Sequence, residues 1–345
     1  MNEKPRVVFL GSGEIGLPAL KWLSRNDLVR LVGVVTQPDK PVGRSQTLTA
    51  PAPKQMALEL GVPVLQPVKV RRPEALAEIA ALGPELVVVM AYGQILPKAL
   101  LELPRIACLN LHASLLPAHR GAAPIPASIL AGDRETGITV MYMAEGLDTG
   151  DILLTRAIPI RRRETGGSLH DRLAELAPAA LADALRLLVE GKAPRVPQDS
   201  SRASYAGKLD RDTGRINWSE SSTQLDRLVR AFNPWPSAYT TVTAGDGTNR
   251  RLKIFRALPV RRFHGPPGQV VALLSRGPVV GTGVGGLLLL EVQLEGKRRL
   301  PATEFLRGMQ LPLGAMLGGL SADLSAEATR LSSPKSLAKE EDAAS

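Results

Sequence analysis

The chain has 345 residues, of which 44% are hydrophobic and 22% charged, with a net charge of +10, and this balance excludes a disordered chain or a fibrous repeat. Its first ten residues lack the apolar core of a secretory signal, and its longest uncharged stretch, residues 277–290, is too short and too rich in glycine to cross a bilayer. We therefore expect a cytoplasmic protein without membrane attachment, whose one cysteine, Cys108, forms no internal disulfide.

The first half of the chain predicts an open parallel α/β sheet of Rossmann-like type. Short runs rich in β-branched residues predict strands at 6–10, 31–36, 62–65, 86–90 and 106–111. Helical spacing predicts helices at 15–24, 52–60, 73–82 and 123–131. Two further strands at 137–143 and 152–160 and a helix from about 168 to 190 complete a predicted domain over residues 1–190.

The second half of the chain has a different pattern. Residues 191–208 are mostly polar, contain Pro194 and Pro197 and show no periodicity, which predicts a linker. Between 209 and 315, a helix at 221–232 precedes strand-like runs at 238–243, 252–257, 270–274, 279–282 and 287–294. Short strands separated by glycine-rich turns predict a small, OB-like β-barrel domain. Residues 316–345 are small, polar and charged, which predicts a disordered tail.

The positive charge is concentrated in this second domain. Residues 209–315 contain 15 basic and 8 acidic residues, a net charge of +7. A basic module commonly faces phosphates, because binding releases condensed counterions, but an arginine-rich solvated surface explains the charge equally well. Only 3% of the residues are aromatic, which disfavours a platform that stacks single-stranded bases.

A glycine-rich turn follows the first predicted strand. Residues 11–16 read Gly-Ser-Gly-Glu-Ile-Gly, the G-x-G-x-x-G pattern of a dinucleotide-binding turn. A nicotinamide site also needs an acidic residue at the end of the second strand, and here Asp39 comes late, in a proline-flanked loop. Such a turn also serves other ligands or tight packing, so a dehydrogenase is a minor alternative and no NAD is expected.

Two polar residues stand at the carboxyl end of the strand predicted at 106–111. Because side chains alternate along a strand, Asn110 and His112 share one face. Open α/β sheets place their ligand crevice at the carboxyl ends of the strands. An amide donor beside an imidazole can polarise a carbonyl and stabilise the oxyanion that grows on it. Structural hydrogen bonds at the end of the strand remain an alternative role for the pair.

An acid-rich turn at 145–151 separates the last two predicted strands. Aspartate and glycine are also what an ordinary turn requires. With Asn110 and His112, however, Asp148 completes a coherent set, in which a carboxylate orients an imidazole beside an amide donor. No cluster of cysteines or histidines completes a metal site around His112 and Asp148, so no metal is expected.

Several separated motifs resemble the formyltetrahydrofolate-dependent formyltransferases. The motifs are Asn-Leu-His-Ala-Ser-Leu-Leu-Pro at 110–117, Arg-Gly-Ala-Ala-Pro-Ile at 120–125, Thr-Gly-Ile-Thr at 136–139 and Gly-Leu-Asp-Thr-Gly-Asp at 146–151. Supporting segments occur at 36–41, 43–44, 91–97, 216–218 and 230–236. The similarity runs from about residue 6 to about residue 315 and is strongest to the members whose acceptor is a charged tRNA.

The resemblance implies a reaction, its substrates and its site residues. It implies transfer of the formyl group of 10-formyltetrahydrofolate to the α-amino group of methionine on initiator tRNA, for translation initiation. We also expect a monomer. The catalytic positions of the family correspond here to Asn110, His112 and Asp148. The folate would bind at Val88, Met90, Ala91, Tyr92, Gly93, Ile95, Leu96, Ser114, Leu115, Leu116 and Pro117. The tRNA would bind at Lys40 and Arg44 in the loop 39–49 and at Arg250, Arg251, Lys253, Lys297, Arg298 and Arg299 of the barrel.

The sequence departs from the family pattern at a few positions. Residues 45–47 read Ser-Gln-Thr where lysines often follow, so fewer phosphate contacts are expected from this loop. His119 stands where tryptophan is frequent, and Pro126 where glutamine is frequent; both change local contacts rather than the reaction. Family members that formylate a sugar-nucleotide amine or glycinamide ribonucleotide remain an alternative, although a small acceptor does not require a basic second domain. A non-catalytic RNA-binding module is a further alternative.

Overall fold

The computed structural model describes residues 4–42, 46–244, 247–309 and 311–318. Two compact units divide the chain: the first ends at Leu209 and the second begins at Asp210. Within the described ranges, no helix is long and apolar enough to span a membrane.

The first unit alternates strands and helices. Its strands are β1 Arg6–Gly11, β2 Arg30–Val35, β3 Lys40–Val42, β4 Thr47–Thr49, β5 Val64–Leu65, β6 Leu86–Met90, β7 Ala107–His112, β8 Arg120–Gly121, β9 Glu135–Tyr142, β10 Ile152–Pro159 and β11 Tyr205–Ala206. Its α-helices are α1 Leu17–Leu23, α2 Ala52–Glu59, α3 Pro73–Ala81, α4 Lys98–Leu101, α5 Pro124–Ala131 and α6 Gly166–Val189. Short 3₁₀ helices occur at Glu14–Gly16 and Ser200–Arg202.

The central sheet has seven strands in the order β10-β9-β7-β6-β1-β2-β5. The five strands from β7 to β5 are parallel, as the alternating pattern predicts. The sheet differs from the predicted arrangement at its other edge, where β9 is antiparallel to β7 and β10 is antiparallel to β9. The connection 143–151 is too short for the crossover that a parallel pair requires, so β9 and β10 form a hairpin.

Helices cover both faces of this sheet. On one face, Val8, Leu10, Val87 and Val89 pack with α3 and α4 in a common hydrophobic cluster. On the other face, α6 packs against β9, β10 and α1. Strands β6 and β7 are buried along their whole length, as expected for central strands of a sheet covered on both faces.

Residues 191–208, predicted to form a linker, are an integral part of the first unit. The backbone of Val196 exchanges two hydrogen bonds with Ile152, at 2.8 and 3.0 Å. Strand β11 pairs in parallel with β8. The sequence does not reveal this pairing, because backbone pairing at the edge of a domain requires neither hydrophobic side chains nor a periodic sequence.

The second unit is an antiparallel half-barrel, in agreement with the predicted OB-like barrel class. It contains β12 Ala238–Thr243, β13 Asn249–Val260, β14 Val270–Leu274, β15 Gly277–Gly281, β16 Gly286–Leu294 and β17 Leu300–Pro301, with helices α7 Ser222–Ala231 and α8 Ala302–Gly308. The strand order is β12-β13-β16-β15-β14, and β17 pairs with β16.

The two edge strands of this sheet are bridged by the chain that follows α8. The amide of Gly314 donates to Val270 of β14, and the amide of Gly318 donates to Thr241 of β12, both at 2.9 Å. Leu317 is 2% exposed within the core of the unit. The fold therefore extends beyond residue 315, where the sequence places the end of the barrel. Residues 319–345, most of the predicted tail, lie outside the described residues.

Candidate active site

Asn110 and His112 occupy the carboxyl end of β7, as the sequence predicts. The strand lies between β6 and β9, where Asn110 pairs with Val89 and Met141 and His112 pairs with Thr139. Both side chains are buried, at 9% and 6% exposure. Strand β7 is hydrogen-bonded to a neighbouring strand on each side, and this fixes the positions of both residues.

Asp148 lies in the connection between β9 and β10 and meets both residues. Its Oδ1 accepts a hydrogen bond from Asn110 Nδ2 at 3.3 Å, and its Oδ2 accepts one from the backbone amide of Gly121 at 2.8 Å. The same Oδ2 is 3.6 Å from His112 Nδ1. The backbone of Asp148 is left-handed, with φ of 51°, a conformation that aspartate and asparagine tolerate better than most residues. The structure thus brings Asn110 and His112 together at the carboxylate of Asp148.

The hydrogen bonds of His112 define the roles of its two nitrogens. Nε2 is 2.9 Å from the backbone carbonyl oxygen of His119. Because a carbonyl oxygen only accepts, Nε2 must carry a hydrogen. Nδ1 is then the nitrogen that faces Asp148 and that can take up or release a proton. An imidazole held in this way can donate a proton to a reacting atom or receive one from it.

Asn110 has hydrogen-bonding capacity left for a ligand. Its amide offers two hydrogens, and within the part of the chain that the structure describes only the bond to Asp148 is formed. The remaining N–H is therefore available to an acceptor in the crevice. Preorganised donors of this kind stabilise negative charge that develops on a carbonyl oxygen.

The segment after β7 is held against β9 by a threonine. Thr139 Oγ1 donates to the carbonyl of Ser114 at 2.6 Å and accepts from the amide of Leu116 at 3.1 Å. Ser114 Oγ donates to the carbonyl of Ala118 at 2.6 Å. Residues 114–118 therefore have a defined conformation next to His112. The role of Thr139 is not evident from the sequence, where its motif is visible without any indication of these contacts.

The residues predicted to bind folate lie within β6, as Val88 and Met90 do, or follow β6 and β7, two neighbouring parallel strands. Those with buried side chains are Val88, Met90, Tyr92, Leu96, Ser114 and Leu116. Ile95, by contrast, is 86% exposed. The loop that starts at Ala91 is tied to the first glycine-rich turn, because the carbonyl of Ala91 accepts from the amides of Ser12 and Gly13 at 3.1 and 3.3 Å.

A cleft of about 410 Å³ opens between these two loops. It is lined by Ser12, Gly13, Gln37, Pro38, Lys40, Thr49, Ala50, Pro51, Ala91, Tyr92 and Gly93. Asp39, the late acid of the nicotinamide alternative, is engaged elsewhere: hydrogen bonds from Gln66 and Lys54 hold its pKa below the usual value. The glycine at position 11 serves packing, since a Cβ there would lie 2.9 Å from the carbonyl oxygen of Met90. Gly11 therefore has a structural explanation that does not depend on a bound ligand.

The side chain of Tyr92 packs into the hydrophobic core rather than toward the crevice. It is 2% exposed, and its hydroxyl finds no hydrogen-bond partner among the described residues. Burial raises the pKa of this phenol to about 12. A contact between Tyr92 and folate would therefore have to come from its backbone.

Removing this hydroxyl should stabilise the protein. In Tyr92→Phe we expect the free energy of unfolding to rise by about 1 kcal/mol, because an unsatisfied buried polar group is lost without a change of shape. Denaturant unfolding measures this, with Tyr205→Phe, whose side chain is 68% exposed, as a neutral control. The KM for folate should stay unchanged; an increase would show that the hydroxyl contacts the ligand.

The residues predicted to bind tRNA in the first unit are only partly described. Lys40 is exposed on β3, where its Nζ donates to Gln37 Oε1 at 2.6 Å. Arg44 lies outside the described residues. Lys40 also lines the cleft beside the glycine-rich turn, so its ammonium is available next to that opening.

The predicted tRNA-binding residues of the second unit gather at one end of its sheet. Leu252 of β13 pairs with Leu294 of β16, which brings Arg250, Arg251 and Lys253 near the turn that carries Lys297, Arg298 and Arg299. Several of the six have internal partners: Arg251 pairs with Asp212 at 3.4 Å, Arg299 pairs with Glu291 at 2.7 Å, and Arg250 Nε donates to Thr248 Oγ1 at 3.3 Å. Lys297 and Arg298 are exposed. We call these six residues the basic edge.

Within the described ranges, no three His, Cys, Asp or Glu side chains gather in a way that could hold a metal ion. Burial raises the pKa of the Cys108 thiol to about 12, so this cysteine is a packing residue rather than a nucleophile. The chemistry that the site offers is therefore that of an amide, an imidazole and a carboxylate.

Comparison with known families agrees with both units. The formyl transferase family model matches residues 5–185, and the model of the formyl transferase C-terminal domain matches residues 208–310. A methionyl-tRNA formyltransferase of Geobacter sulfurreducens is 46% identical over 314 residues, covering 91% of this chain and 96% of that protein. One of Pseudomonas syringae pv. tomato is 45% identical over 320 residues, covering 92% of this chain and 100% of that protein.

Solved structures share the fold at lower sequence identity. The sugar 3N-formyl transferase WlaRD superimposes with a TM-score of 0.60 at 17% identity, over 86% of this chain and 100% of that one. HypX from Aquifex aeolicus, solved with tetrahydrofolic acid, gives a TM-score of 0.58 at 20% identity, over 87% of this chain and 46% of that one. With family matches across both units and relatives that are covered almost end to end, the chain belongs to the methionyl-tRNA formyltransferases.

Proposed function

We propose that the protein transfers the formyl group of 10-formyltetrahydrofolate to the α-amino group of methionine on initiator tRNA. The observation that carries the chemical part of this proposal is the convergence of Asn110 and His112 on the carboxylate of Asp148 at the open end of β7. The identity of the acceptor rests on the methionyl-tRNA formyltransferases that this chain resembles over both units, and on the basic edge.

The amine can attack without a strong base. An α-amino group titrates near 7.7–8.0, so a useful fraction is neutral at physiological pH. Its nitrogen forms a bond to the formyl carbon, and negative charge develops on the formyl oxygen. Asn110 Nδ2 and the proton on His112 Nδ1 supply donors for that charge, each worth about 3–4 kcal/mol of barrier in comparable sites.

Asp148 completes the proton transfers. Its carboxylate orients His112 and accepts the proton that the attacking nitrogen must lose. The bond between the formyl carbon and the folate nitrogen then breaks, and that nitrogen takes up a proton through His112. The products are formylated methionyl-tRNA and tetrahydrofolate, so atoms and charge balance without an oxidant or a metal.

The carboxyl ends of β6 and β7 provide the folate site in this proposal. The exposed side chain of Ile95 offers an apolar contact for a flat ring, and the loop from Ala91 to Gly93 offers backbone groups. Thr139 holds the opposite wall, residues 114–118. The donor's formyl carbon would then lie next to Asn110 and His112.

Competing acceptors test the function directly. The purified protein is given 10-formyltetrahydrofolate with methionyl initiator tRNA, uncharged tRNA, free methionine, an amino-sugar nucleotide or glycinamide ribonucleotide, and formylated product is quantified. We expect rapid formylation of the charged tRNA alone. Transfer to one of the small amines in preference to the tRNA would contradict the proposed acceptor. Binding of NADH in a fluorescence titration would instead support the dehydrogenase alternative.

A further inference from the structure

A buried arginine behind Asp148 has an unusual partner. Arg120, in β8, is 2% exposed. Its Nε and Nη2 both donate to Gln198 Oε1, at 3.0 and 2.7 Å, and within the described residues it forms no ion pair with a carboxylate. Burying a guanidinium beside a neutral amide costs free energy of folding, because the charge loses its hydration without gaining a carboxylate partner. This indicates a role other than stability.

The other end of Gln198 reaches the turn that carries Asp148. Gln198 Nε2 donates to the backbone carbonyl of Asp148 at 2.9 Å and to that of Gly150 at 2.8 Å. Both amide hydrogens and the amide oxygen are thus used. The bonds to Arg120 also fix which end of the amide faces the turn, because a guanidinium can only donate.

The turn itself leaves little freedom. Asp148 is in the left-handed region, and a Cβ at Gly150 would lie 1.8 Å from the carbonyl oxygen of Tyr142. Next to Arg120, the amide of Gly121 donates to Asp148 Oδ2. Strand β8 therefore holds Asp148 twice, at its carboxylate through Gly121 and at its backbone through Arg120 and Gln198.

We propose that Gln198 is a positioning residue for the transfer reaction: oriented by Arg120, it holds the backbone at residues 148–150 so that the Asp148 carboxylate stays at His112. This inference rests on the proposed function of Asp148. It also assigns a role to the segment 191–208, which the sequence describes only as a linker.

The variant Gln198→Glu distinguishes this positioning role from a purely structural one. The variant Gln198→Glu keeps an acceptor for Arg120 and adds an opposite charge, so the fold should be preserved. It cannot donate to the carbonyls of Asp148 and Gly150 while it is ionised, and its charge repels them. We expect kcat to fall at least about tenfold, with the KM for both substrates and the melting temperature little changed. The control variant Gln55→Glu, at an exposed position of α2, should leave kcat, both KM values and the melting temperature unchanged.

A double-mutant cycle with Asp148→Asn decides whether Gln198 acts through Asp148. If it does, Asp148→Asn combined with Gln198→Glu should be no slower than Asp148→Asn alone. The inference would be overturned if the double variant lost kcat by the product of the two separate factors. It would also be overturned if Gln198→Glu kept the wild-type kcat. If Gln198→Glu fails to fold, Gln198→Ala, which leaves room for water at Arg120, replaces it with the same expectations. A normal kcat in Asp148→Asn would instead overturn the catalytic role of Asp148, on which the inference rests.

Discussion

Replacing Asp148 by asparagine should lower kcat by about 10³-fold and leave the KM for tRNA nearly unchanged. The substitution removes the charge that faces His112 and the proton acceptor of the reaction, and such groups are commonly worth about 10²–10⁴ in rate. Asparagine tolerates the left-handed backbone of this position, with φ of 51°, so the fold should persist. Steady-state and single-turnover formylation assays measure the effect.

Asp151→Asn is the matched control for this experiment. Asp151 belongs to the same turn, but its carboxylate is not part of the cluster around His112. Its variant should keep kcat within about twofold of the wild-type value. Equal losses in the two variants would mean that the turn tolerates no substitution, and the catalytic assignment of Asp148 would lose its support.

Removing two charges from the basic edge should weaken tRNA binding and its dependence on salt. Lys297→Gln combined with Arg298→Gln deletes two exposed cations of the turn between β16 and β17. If each contacts a phosphate, the slope of log K against log salt concentration should become shallower by about 2. The kcat at saturating tRNA should not change, because neither residue belongs to the crevice. Filter binding across a range of salt concentrations gives the slope.

A second pair of arginines provides a control of equal charge. Arg261 and Arg262 are exposed neighbours just after the opposite end of β13. Arg261→Gln combined with Arg262→Gln lowers the net charge by the same amount, so it reports on the overall field of the protein alone. We expect little change in the slope. Equal effects of both pairs would show that total charge, rather than the basic edge, attracts the tRNA.

Much of the fold could be predicted from the sequence because local signals agree with the final structure. Alternating β-branched runs and helical stretches predict seven strands and five helices of the first unit to within two residues, but not the short elements β3, β4, β8, β11 and α4. The position of Asn110 and His112 follows from strand alternation and the carboxyl-end rule. That Asp148 joins them could be inferred only by chemical plausibility and resemblance, since the connection 143–151 has no period to fix its path.

The remaining features depend on contacts that are distant in the sequence. Pairing of β11 with β8 places Gln198 behind Asp148, and no property of residues 191–208 predicts this. The antiparallel β9–β10 hairpin follows from a short connection rather than from strand composition. Tyr92 lies inside a recognisable motif, but its side chain is in the core. Its role is determined by the packing of the fold, which the motif does not reveal.

The most direct test of the account is the rate of a single turnover. Enzyme in excess, saturated with 10-formyltetrahydrofolate, is mixed with methionyl initiator tRNA, and formylmethionyl-tRNA is followed for the wild type and for His112→Ala. We predict transfer within seconds by the wild type and a rate about 10³-fold lower in the variant, with tRNA affinity preserved. Similar rates in both proteins would contradict the assignment of the chemistry to the crevice formed by Asn110, His112 and Asp148.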